Sequence, residues 1–148
     1  MNSILTIGYE GAALEEVVAT LKQAKVEVLI DVRALPLSRK KGFSKKAFSA
    51  ALAEAGIAYR HLRDLGNPKP GREAARRGDM EGLREIFGAQ LATDAAESAL
   101  EEAGEVATAS RACLLCFERD PATCHRLMVA EELARRHGFD VHHLVAAR

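Results

Sequence analysis

The stretch CFERDPATCHR, residues 116 to 126, places several reactive side chains close together in the sequence. Cys116 and Glu118 end an apolar run, and Cys124 and His125 follow shortly afterwards. A carboxyl group can act as a general acid or base, and a thiolate can act as a nucleophile. The sequence therefore places its candidate catalytic residues around one strand-to-helix connection.

Asp120, followed by proline, is typical of a helix start, because Asp caps free backbone amides and Pro suits the first helical position. Cys124 and Arg126 then fall in or just after the first turn, where the helix dipole and a nearby cation favour a thiolate. A reactive thiol at Cys124 is one interpretation. In the other, Cys124 is a buried structural cysteine and Arg126 pairs with a carboxylate such as Asp31 or Glu118.

A metal site is a further reading of Cys116, Cys124 and His125, which could supply three ligands to zinc. Their spacing matches no standard metal-binding pattern, and Cys124 and His125, as neighbours on a helix, would point about 100° apart. We therefore predict no metal site and no cofactor. Cys113 and Cys116 alternate along one strand and point to opposite faces, so we expect Cys113 in the core.

A second group of candidates would bind substrate. An acid such as Asp31 at the end of a buried strand requires a partner, for which Arg33 and Arg126 are available. Ser38 and Arg39 offer donors to a phosphate or carboxylate, although a solvated basic loop would look the same. Tyr9 could stack on a ring or simply cap the sheet. The candidate substrate-binding residues are Tyr9, Asp31, Arg33, Ser38, Arg39 and Arg126.

Charge is unevenly distributed along a chain whose net charge is zero. Residues 33 to 77 hold twelve Lys or Arg and three acids, giving +9, whereas residues 79 to 105 hold one Arg and eight acids, giving −7. The basic segment is either an ordinary solvated surface or a site for anions.

Apolar runs that alternate with helical periods indicate the fold. Strands are predicted at SILTIG, EVLIDVR, residues 57 to 62, RACLLCFE and DVHHLV. Residues 63 to 79 are predicted to form a loop that contains a short helical turn. One helix is predicted over residues 82 to 103, closed by Gly104. This order predicts a single α/β domain over residues 1–148, a Rossmann-like three-layer α/β/α sandwich with a mainly parallel five-stranded sheet. Ligands bind such sheets at the carboxyl ends of the strands, where the candidate residues fall.

The chain also carries indications of its environment. Its 148 residues include three cysteines, an odd set unlike a secreted disulfide framework, and no apolar run long enough for a membrane helix. We expect a cytoplasmic protein that does not contact a membrane; the sequence does not indicate an oligomeric state.

Four motifs together carry a resemblance: TIGYEG, DVRALPLSR, YRHLRDLG and LLCFERDPATCHR. They resemble the bacterial and archaeal family catalogued as domain of unknown function 488, over nearly the whole chain. The resemblance implies an α/β fold and a cytoplasmic protein, and it brings no established reaction. Many members carry a second glycine after the Leu-Gly pair, where this chain has Asn67. By position, the family's motif residues would be Gly8, Tyr9, Asp31, Arg33, Pro36, Ser38, Arg39, Leu65, Gly66, Cys116, Glu118, Cys124, His125 and Arg126.

Two functions are compatible with these residues. The first is a small enzyme of the hydrolase or transferase type that binds an anionic, nucleotide-like substrate, with Glu118 as acid or base and Cys124 as nucleophile. The alternative is a non-catalytic nucleic-acid or nucleotide-binding module that uses the basic 33–77 segment, although the chain has few aromatic residues for base stacking.

Overall fold

A parallel β-sheet forms the centre of the computed structural model, which describes residues 2–146. Within that range the sheet has five strands in the order β3-β2-β4-β1-β5, and every neighbouring pair is parallel. The strands are β1 Ser3–Gly8, β2 Val28–Asp31, β3 Ala58–His61, β4 Ala112–Cys116 and β5 Asp140–Val145. The predicted α/β fold is confirmed.

Helices cover both faces of this sheet. Between residues 2 and 146 there are six α-helices: α1 Leu14–Gln23, α2 Lys45–Glu54, α3 Lys69–Arg76, α4 Met80–Leu91, α5 Asp94–Ala109 and α6 Arg126–His137. Apolar residues of α1 and α2, such as Leu21 and Phe48, pack on one face with Leu29 of β2. Apolar residues of α4, α5 and α6 pack on the other face, where Phe87 and Leu133 belong to the same buried cluster. The sheet is therefore the middle of three layers.

The connections leave a crevice between β1 and β4. β1 leads into α1 on one face of the sheet, whereas the neighbouring strand β4 leads into α6 on the other. Adjacent strands whose helices diverge in this way mark the point at which open α/β sheets bind ligands. The segments that follow Gly8 and Cys116 open onto this crevice.

The single helix predicted over residues 82 to 103 is wrong. α4 ends at Leu91, and α5 begins at Asp94 with Thr93 as its N-cap, whose hydroxyl oxygen accepts a hydrogen bond from the Ala96 amide at 3.1 Å. Gly104 lies inside α5 rather than at its end. A Cβ there would lie 2.3 Å from Nε2 of His137, so this glycine allows α6 to approach α5 closely.

The predicted start of the last helix is also wrong. Asp120 accepts a hydrogen bond from the Ala122 amide at 2.9 Å, but it caps only a 3₁₀ turn over Pro121–Thr123. Cys124 has an extended backbone, and α6 begins two residues later at Arg126. The Asp-Pro signature therefore closes a tight turn and leaves Cys124 outside the α-helix.

Residues 63 to 79 contain more helix than predicted. A 3₁₀ turn over Arg63–Leu65 is followed by the eight-residue helix α3, whose N-cap is Pro68. Among the described residues, no helix is long and apolar enough to cross a membrane. A cytoplasmic location stays a prediction from the sequence.

Candidate functional site

A cavity of about 700 Å³ lies at the carboxyl ends of β1, β2 and β4. Its lining combines acidic, basic, aromatic and thiol side chains from four separate segments of the chain. These include Tyr9, Glu10, Arg33, Leu35, Leu37, Asn67, Arg72, Arg76, Cys116, Phe117, Glu118, Thr123 and His125. The parallel sheet thus brings together residues that the sequence separates by up to 116 positions.

Glu118 and Cys116 reach this cavity from the end of β4. They lie two residues apart and both line the cavity. Phe117 lines it as well, although alternation predicted the opposite face for it, because β4 ends at Cys116. Burial raises the pKa of the Glu118 carboxyl above its usual value. A carboxyl whose pKa is raised keeps its proton to a higher pH than usual, which suits it to donating that proton to a bound substrate.

A buried ion pair supports the cavity wall after β2. Arg33 binds Asp31 through two nitrogens, with Nε 2.9 Å from Oδ1 and Nη2 2.8 Å from Oδ2, which confirms the predicted pairing. Arg33 Nη1 also donates to the backbone oxygen of Phe43 at 2.6 Å, and Tyr59 donates its hydroxyl to Asp31 at 2.6 Å. The polar atoms of this pair are therefore satisfied mainly within the protein.

Tyr9 joins this wall to the loop after β4. Its ring stacks on Phe43 with centroids 4.3 Å apart and meets Phe117 edge-on at 5.3 Å. Its hydroxyl accepts a hydrogen bond from Arg33 at 3.3 Å. Tyr9 is buried, yet it lines the cavity, so it stabilises this part of the cavity wall.

Arg126 is fully buried beneath the loop that follows β4. Its guanidinium donates to the Thr6 hydroxyl at 3.1 Å and to the backbone oxygens of Glu118 and Arg119. Nη1 also lies 3.6 Å from the sulfur of Cys116. Within residues 2–146 no carboxylate lies within ion-pair distance of Arg126, although the charges of Glu118 and Asp120 act on it from farther away.

Cys116, Cys124 and His125 meet at the base of the cavity. The two sulfur atoms are in direct contact, as in a disulfide, and Nδ1 of His125 lies 3.7 Å from the Cys124 sulfur. Nε2 of His125 lies 2.7 Å from the backbone oxygen of Val32. Burial lowers the pKa of His125 to about 4, which keeps the imidazole neutral at pH 7. Cys113 is a separate buried thiol on the opposite face of β4, as predicted.

Ser38 and Arg39 lie apart from this group. Ser38 closes its own loop, because its amide donates to the Ser44 hydroxyl at 3.2 Å and its hydroxyl accepts from the Lys40 amide at 3.0 Å. Arg39 is exposed on the same loop, and neither side chain lines the cavity. Of the candidate binding residues, the structure groups Tyr9, Arg33 and Asp31 on one wall.

Helix α3 supplies cavity residues that the sequence analysis did not select. Arg72 and Arg76 both line the cavity, and Arg72 donates to the backbone oxygen of Asn67 at 2.9 Å. The Asn67 side chain is 4% exposed, and its Oδ1 has no hydrogen-bond partner among the described residues. The four-residue spacing of Arg72 and Arg76 was the available signal, since it places both on one face of a helix.

Fold and site together define a three-layer α/β protein with a cavity, lined by charged and apolar side chains, at the carboxyl ends of β1, β2 and β4. The family model described as "Domain of unknown function DUF488" matches residues 13–133, and the chain belongs to this family. No curated protein and no solved structure matches the chain.

Proposed function

We propose that this protein is a small enzyme, a hydrolase or transferase, that acts on an anionic, nucleotide-like substrate bound in the cavity. The observation that carries the proposal is the cavity itself, which gathers the Glu118 carboxyl and the arginines of α3 at the carboxyl ends of the strands. A concave site with a few converging polar groups is the usual form of a small-molecule site.

Arg72 and Arg76 supply the anion-binding side of this site. Between residues 2 and 146 neither is paired with a carboxylate, so both guanidinium groups can bind a phosphate or carboxylate of the substrate.

An apolar rim favours a substrate that also carries a ring. Leu35, Leu37 and Phe117 line the cavity while exposing 57%, 70% and 45% of their surface. A ligand with a flat ring would cover these side chains, and Phe117 offers an aromatic face or edge for stacking. Anionic and aromatic parts together are what a nucleotide provides.

Glu118 is the residue we assign to proton transfer. It lines the cavity, and among the described residues its carboxyl interacts with a backbone amide rather than with a donor side chain. Of the two candidate thiols at the base, Cys116 lines the cavity and Cys124 lies behind it. Cys116 is therefore the thiol that a substrate would meet first.

Thermal shift against nucleoside mono-, di- and triphosphates tests the binding step. A ligand at 100 times its dissociation constant adds about 2.7 kcal/mol of stability, which is readily measured as a higher Tm. The shift should disappear in Arg76→Ala and persist in Arg77→Ala, since Arg77 pairs with Asp79 at 3.5 Å and does not line the cavity. Equal shifts in both variants would contradict binding in this cavity.

The catalytic role is tested with the ligand so identified. Glu118→Gln keeps the size of the side chain but cannot exchange a proton, so it should retain the thermal shift and lose turnover by at least about 100-fold. Turnover unchanged in Glu118→Gln would refute the assignment of Glu118.

The nucleic-acid-binding module stays the alternative, supported by the net charge of the 33–77 segment. Part of that charge is already paired: Arg33 with Asp31, Arg60 with Glu102 at 2.9 Å, and Arg77 with Asp79. Binding of short DNA or RNA with a steep salt dependence, unaffected by Arg76→Ala, would favour this alternative over the enzyme.

A further inference from the structure

We propose that Cys116, Cys124 and His125 bind a divalent metal ion of the zinc class at the base of the cavity. One ligand atom from each residue lies within 4.8 Å of the other two, and all three residues are buried. The sequence had argued against this site because Cys124 and His125 were expected on one helix. The extended backbone of Cys124 removes that objection, because it turns the Cys124 sulfur toward the imidazole.

The hydrogen bonding of His125 prepares it to be a ligand. A backbone carbonyl only accepts hydrogen bonds, so Nε2, 2.7 Å from the Val32 oxygen, must carry the proton. Nδ1 of the neutral ring then has an unshared electron pair on the side of the Cys124 sulfur. Metal-binding histidines characteristically donate their second ring nitrogen to a carbonyl or carboxylate in this way.

The spacing of the two cysteines suits an ion placed between them. Their Cα atoms are 7.5 Å apart, beyond the range of about 4.4 to 6.8 Å that disulfides normally span. Two thiolates on one tetrahedral zinc, each about 2.3 Å from the metal, hold their sulfurs about 3.8 Å apart. In the reduced protein, each thiol would release its proton to solvent on binding the ion, and the two sulfurs would lie farther apart than in their present contact, as the wide backbone spacing allows.

The surrounding charge favours thiolates, the form in which cysteine binds metal. The buried guanidinium of Arg126 lies 3.6 Å from the Cys116 sulfur and has no carboxylate partner among the described residues. A buried cation is costly, and a thiolate at Cys116 would compensate it at closer range than the carboxylates of Glu118 and Asp120. Arg126 thus positions and stabilises Cys116 without being a ligand.

Ligand type and accessibility define the class of ion. Two sulfurs and one imidazole nitrogen suit zinc and similar borderline-soft ions rather than calcium or magnesium. Cys116 and His125 line the cavity, so a fourth coordination position would face it. Three protein ligands with one open position is the arrangement of catalytic rather than structural zinc.

Cobalt(II) titration of the fully reduced wild-type protein is the test. Cobalt takes the place of zinc, and sulfur ligands give an intense charge-transfer band in the near ultraviolet. We expect one equivalent to bind, with the visible spectrum of a four-coordinate ion, and zinc to displace it. Cys113→Ala is the matched control, because Cys113 is buried on the other face of β4 and should leave the spectrum unchanged.

Two variants locate the ion, and both keep a donor to the Val32 backbone oxygen. Cys124→Ser should diminish the sulfur-to-cobalt band. His125→Gln places an amide nitrogen where Nε2 donates to Val32, yet it lacks Nδ1, so affinity should fall by at least about tenfold, the lower end of what second-shell changes cost. Circular dichroism confirms that each variant is folded.

Two results would overturn the metal site. The first is a reduced wild-type protein that binds no cobalt, which would leave Cys116 and Cys124 as a disulfide pair. The second is cobalt binding that Cys124→Ser and His125→Gln do not change, which would place the ion elsewhere. The nucleotide shift depends on Arg76 rather than on the thiols, so failure of one proposal is distinguishable from failure of the other.

Discussion

Gly8 is the residue at which the structure makes its sharpest quantitative prediction. An added Cβ would lie 1.8 Å from the Glu118 backbone oxygen, 2.5 Å from its carbonyl carbon and 3.0 Å from Nη1 of Arg126. Real Cβ atoms essentially never approach another heavy atom within 3.0 Å, so the backbone at Glu118 must retreat by at least 1.2 Å. Gly8→Ala therefore forces the loop after β4 away from β1.

Two costs add in this variant. Overpacking a close contact typically costs about 1–3 kcal/mol. The displaced Glu118 oxygen accepts a hydrogen bond from buried Arg126, and weakening a bond to a buried charge costs about 1.5–3 kcal/mol. Together they predict a loss of about 2.5–6 kcal/mol, a large part of the roughly 5–15 kcal/mol that stabilises a typical domain.

Equilibrium unfolding in urea, followed by circular dichroism, measures this loss. Gly88→Ala is the matched control: Gly88 lies inside α4, its added Cβ would meet nothing within 4 Å, and helix propensity predicts a gain of about 1 kcal/mol. A Gly8→Ala free energy of unfolding within about 1 kcal/mol of the wild-type value would refute the reasoning, given that overpacking alone costs at least that much.

Two further predictions concern ion pairs. Asp31→Asn leaves the Arg33 guanidinium buried without its carboxylate and should cost about 3–5 kcal/mol in urea unfolding, whereas a loss below 1 kcal/mol would mean that the pair adds little. Hydrogen bonds from Arg135, and to a smaller extent from Arg136, lower the pKa of Glu132 to about 2 in the folded protein. The pKa of Glu132 in the unfolded chain is about 4.3. The Glu132 carboxylate therefore stabilises the fold fully above about pH 4.3, and this stabilisation is lost as the pH falls toward 2. Because these groups lie near the surface, the effect on the free energy of unfolding is only about 0.5 kcal/mol. Between pH 5 and pH 2 the free energy of unfolding should fall less in Glu132→Gln than in the wild-type protein. An identical fall in the two proteins would contradict the pairing.

The inner strands β1, β2 and β4 were predictable because each is a mainly apolar run between turn residues, as strands buried on both faces require. The edge strands β3 and β5 were predictable although they carry polar residues such as Arg60 and His142. The break at Thr93 was not, because α4 and α5 pack apolar residues such as Phe87 and Leu100 into the same buried cluster, and the helical period continues across the junction. Only the N-cap preference of Thr93 marked the boundary, and it was overlooked.

The sequence motifs identified several residues of the site but did not predict where all of their side chains lie. Glu118 and Cys116 could be placed at the end of β4 because side chains alternate along a strand. The position of Cys124 could not be predicted, because an Asp-Pro pair can start a 3₁₀ turn as well as an α-helix. Which of the two forms decides where the Cys124 sulfur points. Arg72 and Arg76 were overlooked because prolines and glycines made their segment look like a loop.

Folding and chemistry share residues at the crevice between β1 and β4. Arg126 contacts Thr6 of β1, the Cys116 sulfur and the backbone after β4, so a change there alters stability, the proposed metal site and the cavity together. Gly8 is coupled to the same contacts. Arg76 is exposed and makes no ion pair within residues 2–146. Substitutions on α3 therefore separate ligand binding from folding, whereas loss of activity at Arg126 or Gly8 would not by itself identify a binding residue.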